Sequence, residues 1–84
     1  MSMLICFAED YIYDAFNDFR NPTCPTYYLY QLRDSVKDIA HELKRARNRA
    51  RTVPKRCKLT SLLTLANSFI TASTKRLEKE LIYG

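Results

Sequence analysis

Lys44, Arg45, Arg47, Arg49, Arg51, Lys55, Arg56 and Lys58 put eight cations into residues 44–58, a stretch that holds no acidic residue. Side chains of one sign at this density repel one another, and an anion relieves that repulsion. Five of the eight are arginine, whose planar guanidinium donates two parallel N–H bonds to a phosphate or carboxylate. The chemistry on offer is therefore anion recognition. The remaining charge is arranged around this run: residues 1–43 carry seven acids and three bases, and residues 59–84 carry three bases and two acids. A basic pole on a near-neutral body, within a net charge of +5, points to a located binding surface.

Other chemistries lack their residues. His41 is the one histidine, and its place on the outer column of a helix with Asp34 and Asn48 makes it an exposed polar side chain. Cys6, Cys24 and Cys57 are odd in number and widely spaced, so reduced, structural thiols are expected rather than a disulfide framework or a zinc site. Asp10, Asp14 and Asp18 recur every four residues, but nothing at metal-ligand spacing completes a site. They read as a solvated face, with pairing to the basic pole of a second subunit as the alternative. There is no glycine-rich phosphate loop and no nucleophile motif. No catalytic residue, metal, cofactor or small-molecule substrate is expected.

The elements that must carry the basic run are helices. Hydrophobic residues make up 46% of the 84-residue chain, too many for disorder, and the only glycine is the last residue. The expectation is an all-α single domain with helices over 3–20, 26–51 and 55–82, the second and third forming a long antiparallel hairpin. In the first, Ile5, Ala8, Ile12, Ala15, Phe16 and Phe19 share one face. Pro22 and Pro25 end it, and a hydroxyl beside Pro25 is expected to cap the second. There Leu29, Leu32, Val36, Ile39, Leu43, Ala46 and Ala50 alternate spacings of three and four, a coiled-coil-like seam. Lys37, Lys44 and Arg51 repeat every seven residues on one flank, with Arg33 and Arg47 on the other.

Thr52-Val53-Pro54 reads as the second turn. The third helix is apolar over about half its circumference through Leu59, Leu62, Leu63, Leu65, Ala66, Phe69, Ile70, Leu77 and Leu81. That arc exceeds the roughly 100° one surface helix buries, so two neighbours are expected, one of them supplied by a homodimer. Thr60, Thr64, Asn67, Thr71 and Thr74 form an uncharged polar stripe, read as a weakly solvated face or, alternatively, as contacts to sugar hydroxyls and phosphates. Tyr27, Tyr28 and Tyr30 read as packing, with base stacking as the alternative.

Helix dipoles divide the basic run. Cations suit the C-terminus of the second helix, whereas Lys55, Arg56 and Lys58 oppose the dipole at the start of the third unless an anion is bound there. Neutralising those three is expected to weaken anion binding without harming the free protein. The functional expectation is a small basic nucleic-acid-binding protein that contacts double-stranded RNA, in preference to DNA, by backbone and shape. Its contacts would be Arg33, Lys37, Lys44, Arg45, Arg47, Arg49, Arg51, Lys55, Arg56 and Lys58, with Thr60, Thr64, Asn67 and Thr71 as secondary ones. The alternative is a protein-interaction module that docks a partner on the apolar face of the third helix and an acidic surface on the basic pole. In plan and charge, though in no shared motif, the chain resembles the small helical, dimeric, double-stranded-RNA-binding suppressors of RNA silencing made by nodaviruses. That resemblance implies a viral accessory protein. No apolar run spans a membrane and the first residues lack a basic leader, so the cytoplasm or nucleus is expected.

Overall fold

The computed structural model describes the backbone of residues 3–83 and the side chains of residues 4–79. Three helices, α1 (Met3–Arg20), α2 (Thr26–Arg49) and α3 (Val53–Tyr83), account for nearly all of it, and no strand occurs among the described residues. The all-α expectation holds. Leu81 and Glu80 lie outside the residues whose side chains are described.

The linker between α1 and α2 is shaped by its own side chains. Asn21 Oδ1 accepts from the Thr23 amide at 3.0 Å and from the Thr23 hydroxyl at 2.7 Å, a local turn that competes with helix. The cap position of α2 falls on a residue that has no hydroxyl. Pro25 occupies the cap position at φ −64° and ψ 147° with no side-chain bond, and its carbonyl accepts from the Leu29 amide at 3.0 Å. Thr23 is already committed to Asn21.

The second turn lies two residues earlier than the sequence suggests. Ala50 is extended at ψ 130°, so α2 stops at Arg49 and Arg51 belongs to the turn. The Arg56 amide already bonds the Thr52 carbonyl at 3.1 Å, so Pro54 sits in the first turn of α3. A proline is tolerated there because its missing N–H would have had no intrahelical partner.

The particle is a rod of 47 × 19 × 15 Å, and α3 sets its length, because 31 residues at about 1.5 Å each span about 46 Å. The largest interface is between α2 and α3, and α1 packs on both. The seam residues Leu29, Leu32, Val36, Ile39 and Leu43 are buried with Ala40, and Ala46 and Ala50 are half-buried. On α1, Ile5, Ala8, Ile12 and Ala15 are buried. Phe16 and Phe19 stand edge-on to Phe69 of α3, with ring centroids 5.2 and 5.9 Å away. α1 and α2 cover part of the apolar arc of α3: Leu59, Leu62, Ala66, Phe69 and Leu77 are buried, while Leu63, Leu65 and Ile70 are half-buried.

Among the described residues one polar side chain lies fully inside. Ser73 is buried and its hydroxyl donates to the carbonyls of Phe69 at 2.8 Å and Ile70 at 3.1 Å, so it enters the core with its hydrogen bond made. Arg76 fastens the end of α1: it donates to the Phe19 carbonyl at 2.8 Å and lies 5.4 Å from the centre of the Phe19 ring. Carbonyls in the last turn of a helix lack intrahelical donors, so this bond fills a real vacancy. Arg76→Ala is expected to lower the unfolding free energy by about 1–3 kcal/mol, the cost of stranding a partly buried acceptor. Urea denaturation followed by circular dichroism checks this, and an unchanged midpoint would contradict it.

Candidate nucleic-acid interface

The structure sorts the basic residues into three sets. Lys37, Lys44 and Arg47 of α2 line one open groove of about 500 Å³ together with His41, and α3 supplies Leu63, Asn67 and Ile70 to its other wall. Arg47 therefore joins the lysines instead of lying on the opposite flank. His41 likewise faces this groove and not an outer column. No acidic residue lines the groove, and Ala40, Leu63 and Ile70 give it an apolar floor that supplies no counter-charge. Lys37 and Lys44 are exposed, seven residues and so about 10 Å apart along the axis.

The second set is the tip of the rod. Arg49, Arg51, Lys55 and Arg56 are exposed, and none of them enters an ion pair among the described residues. With Arg51 in the turn, the tip is a cluster and not a continuation of the helical row. α3 has no acidic residue in its first turn, so Lys55 and Arg56 oppose its dipole as the sequence suggests.

The third set is already engaged. Arg33 is half-buried, with its guanidinium carbon 5.2 Å from the centre of the Tyr30 ring. Its Nε lies 3.9 Å from Asp34 Oδ1, too long for a hydrogen bond, and has no other partner. Arg45 pairs loosely with Glu42 at 3.8 Å. Lys58 is held by Glu9 of α1, Nζ to Oε2 at 2.9 Å. The hydrogen bond and charge of Glu9 push the Lys58 ammonium above the ordinary lysine value. A raised folded-state value means this contact supports the fold fully below the ordinary lysine range and is lost as pH climbs through the raised value. The anion that Lys58 calls for thus comes from the chain itself. Neutralising Lys58 also removes an α1–α3 contact, though a solvent-exposed ion pair of this kind contributes little to stability.

The uncharged stripe of α3 is exposed at Thr60, Thr64, Asn67 and Thr71 and half-buried at Thr74. Thr64 donates its hydroxyl to the Thr60 carbonyl, and Ser68 donates to that of Thr64, each at 3.0 Å. These donors are spent on their own helix. Asn67 is different: it lines both the basic groove and a second shallow groove shared with Thr64, Ser68, Thr71 and Lys75.

No protein-family model, curated protein or solved structure matches this chain. What it binds must therefore be argued from its own side chains.

Those outside the basic sets offer little else. Among the described residues no group of His, Cys, Asp or Glu is placed to hold a metal, and no helix is long and apolar enough to cross a membrane. Of the aspartate column, Asp10 and Asp14 are exposed, and Asp18 accepts from the Tyr28 hydroxyl of α2 at 3.1 Å. That bond to a carboxylate raises the Tyr28 phenol above its usual value. The tyrosines consequently divide: Tyr28 bridges α1 and α2, Tyr30 lies against Arg33, and Tyr27 is exposed. None of the three cysteines is in a disulfide; Cys24 is half-buried, and Cys6 and Cys57 are exposed.

Proposed function

We propose that this chain binds double-stranded RNA through phosphates, without sequence preference and without catalysis. The observation that carries the reading is the acid-free groove in which Lys37, Lys44 and Arg47 stand beside one another over an apolar floor. Three cations that enter no ion pair among the described residues release condensed counterions when they meet a polyphosphate, which is the main source of sequence-independent affinity. The exposed tip of Arg49, Arg51, Lys55 and Arg56 extends the charged surface at the α2–α3 turn.

In this reading α2 and α3 act as an antiparallel hairpin laid along the duplex. Helices as long as these address shape and backbone, and side chains cannot reach base edges in the deep, narrow major groove of A-form RNA. Asn67 stands where an amide can meet a sugar hydroxyl while the lysines hold phosphates. The groove cations all belong to one chain, and the homodimer expected from the sequence would present two such grooves to the duplex. The nodaviral silencing suppressors supply an analogy for the biological setting, a viral accessory protein acting in the cytoplasm or nucleus.

The test is a titration of labelled duplex RNA, duplex DNA and single strands with the intact protein at fixed salt. Duplex RNA is expected to bind more tightly than either single strand or duplex DNA. Binding to none of the three near physiological salt would sink the reading and turn attention to an acidic protein partner.

A further inference from the structure

Glu9 and Lys58 are 49 positions apart in the sequence, yet they make the shortest ion pair among the described residues, and Lys58 belongs to the basic run 44–58, which holds no acid of its own. Both side chains remain open to solvent, at 36% and 42% exposure, so a ligand can reach either. α1 does not depend on this pair for its place. Ile5, Ala8, Ile12 and Ala15 are buried, and Arg76 holds the Phe19 carbonyl at the far end of α1. Arg49, Arg51, Lys55 and Arg56 are left for a ligand, whereas Lys58 alone of the basic residues in α3's first two turns has an internal anion.

We infer that Glu9 is an autoinhibitory contact, an internal stand-in for phosphate that withholds Lys58 from the nucleic acid and so sets the affinity of the basic tip. The inference rests on the nucleic-acid reading above. Glu9 presents an anionic oxygen, Oε2, to the ammonium as a phosphate would, and being tethered it competes at no cost in translational freedom. Free Glu9 is hydrated without a burial penalty, so the contact is exchangeable, and salt weakens it as it weakens phosphate contacts.

Glu9→Gln, which keeps the shape and removes the charge, tests this against Asp10→Asn, which removes an equal charge from an exposed site one residue away. With duplex RNA at about 0.15 M salt, E9Q is expected to bind about five-fold tighter and to steepen the slope of log K against log salt by about 0.9, the contribution of one added phosphate contact. D10N should leave the slope unchanged. In a Lys58→Gln background E9Q should give no gain, the non-additivity expected of residues that act as a pair. Equal effects of E9Q and D10N, or a gain that persists without Lys58, would overturn the inference while leaving duplex binding itself intact. Absence of binding by both the wild-type protein and E9Q would remove the nucleic-acid reading, and the competitor with it. A thermal melt of E9Q close to that of wild type confirms that the folded rod is what is being measured.

Discussion

Replacing Lys37, Lys44 and Arg47 together by Gln is expected to weaken duplex RNA binding about 150-fold at about 0.15 M salt and to flatten the salt slope by about 2.7. Both figures follow from three phosphate contacts at about 0.9 each, counted from 1 M salt. The three residues line one groove on the α2 side, are exposed or half-exposed, and enter no ion pair among the described residues, so the fold keeps its core without them. Circular dichroism should show unchanged helix content. A matched variant of Arg33, Arg45 and Lys58 is expected to have a far smaller effect on binding, because those cations already face Tyr30, Glu42 and Glu9. If the two triple variants lost affinity equally, net charge would explain binding and the groove would not.

Phe69→Ala is the substitution with the largest expected effect on stability, about 3–5 kcal/mol. Phe69 has no solvent exposure, and it sits edge-on to both Phe16 and Phe19. Truncation therefore opens a cavity at the junction of α1 and α3 and removes two aromatic contacts at once. Domains of this size are stabilised by only about 5–15 kcal/mol in total, so F69A is expected to be largely unfolded at 37 °C. A urea midpoint within the range of surface variants would show that α1 does not dock on α3 through this cluster.

Which parts of this were legible in the sequence follows from what each signal measures. Helix α2 is readable because Leu29, Leu32, Val36, Ile39 and Leu43 alternate spacings of three and four and are all buried. The wide arc of α3 was readable as an excess of apolar surface, but not which neighbour covers it. Phe16 and Phe19 of α1 do so, and periodicity within one helix carries no information about its partner. Ser73 resembles the neighbouring threonines in type, but it lies four residues from both Phe69 and Leu77 and so shares their buried column. The end of α2 was misplaced by two residues because Ala46 and Ala50 continue the spacing while burying too little to hold another turn.

The candidate site divides in the same way. That residues 44–58 would gather charge was plain, and so was the conflict between Lys55, Arg56 and the dipole of α3. The merging of Lys37, Lys44, Arg47 and Asn67 into one groove depends on how α2 and α3 are rotated against each other, which sequence spacing leaves open. The partners of Arg33 and Lys58 differ in legibility too. Tyr30 is three residues from Arg33, a helical neighbour any wheel would show, whereas Glu9 meets Lys58 only because α1 packs beside α3.

The central claim is that this rod carries a phosphate-binding groove, and the salt dependence of wild-type binding to duplex RNA tests it most directly. Binding near 0.15 M salt with log K falling against log salt by at least about 2.7 per decade is the predicted result, the groove cations alone requiring that much. A slope near zero, or no binding at that salt, would contradict it.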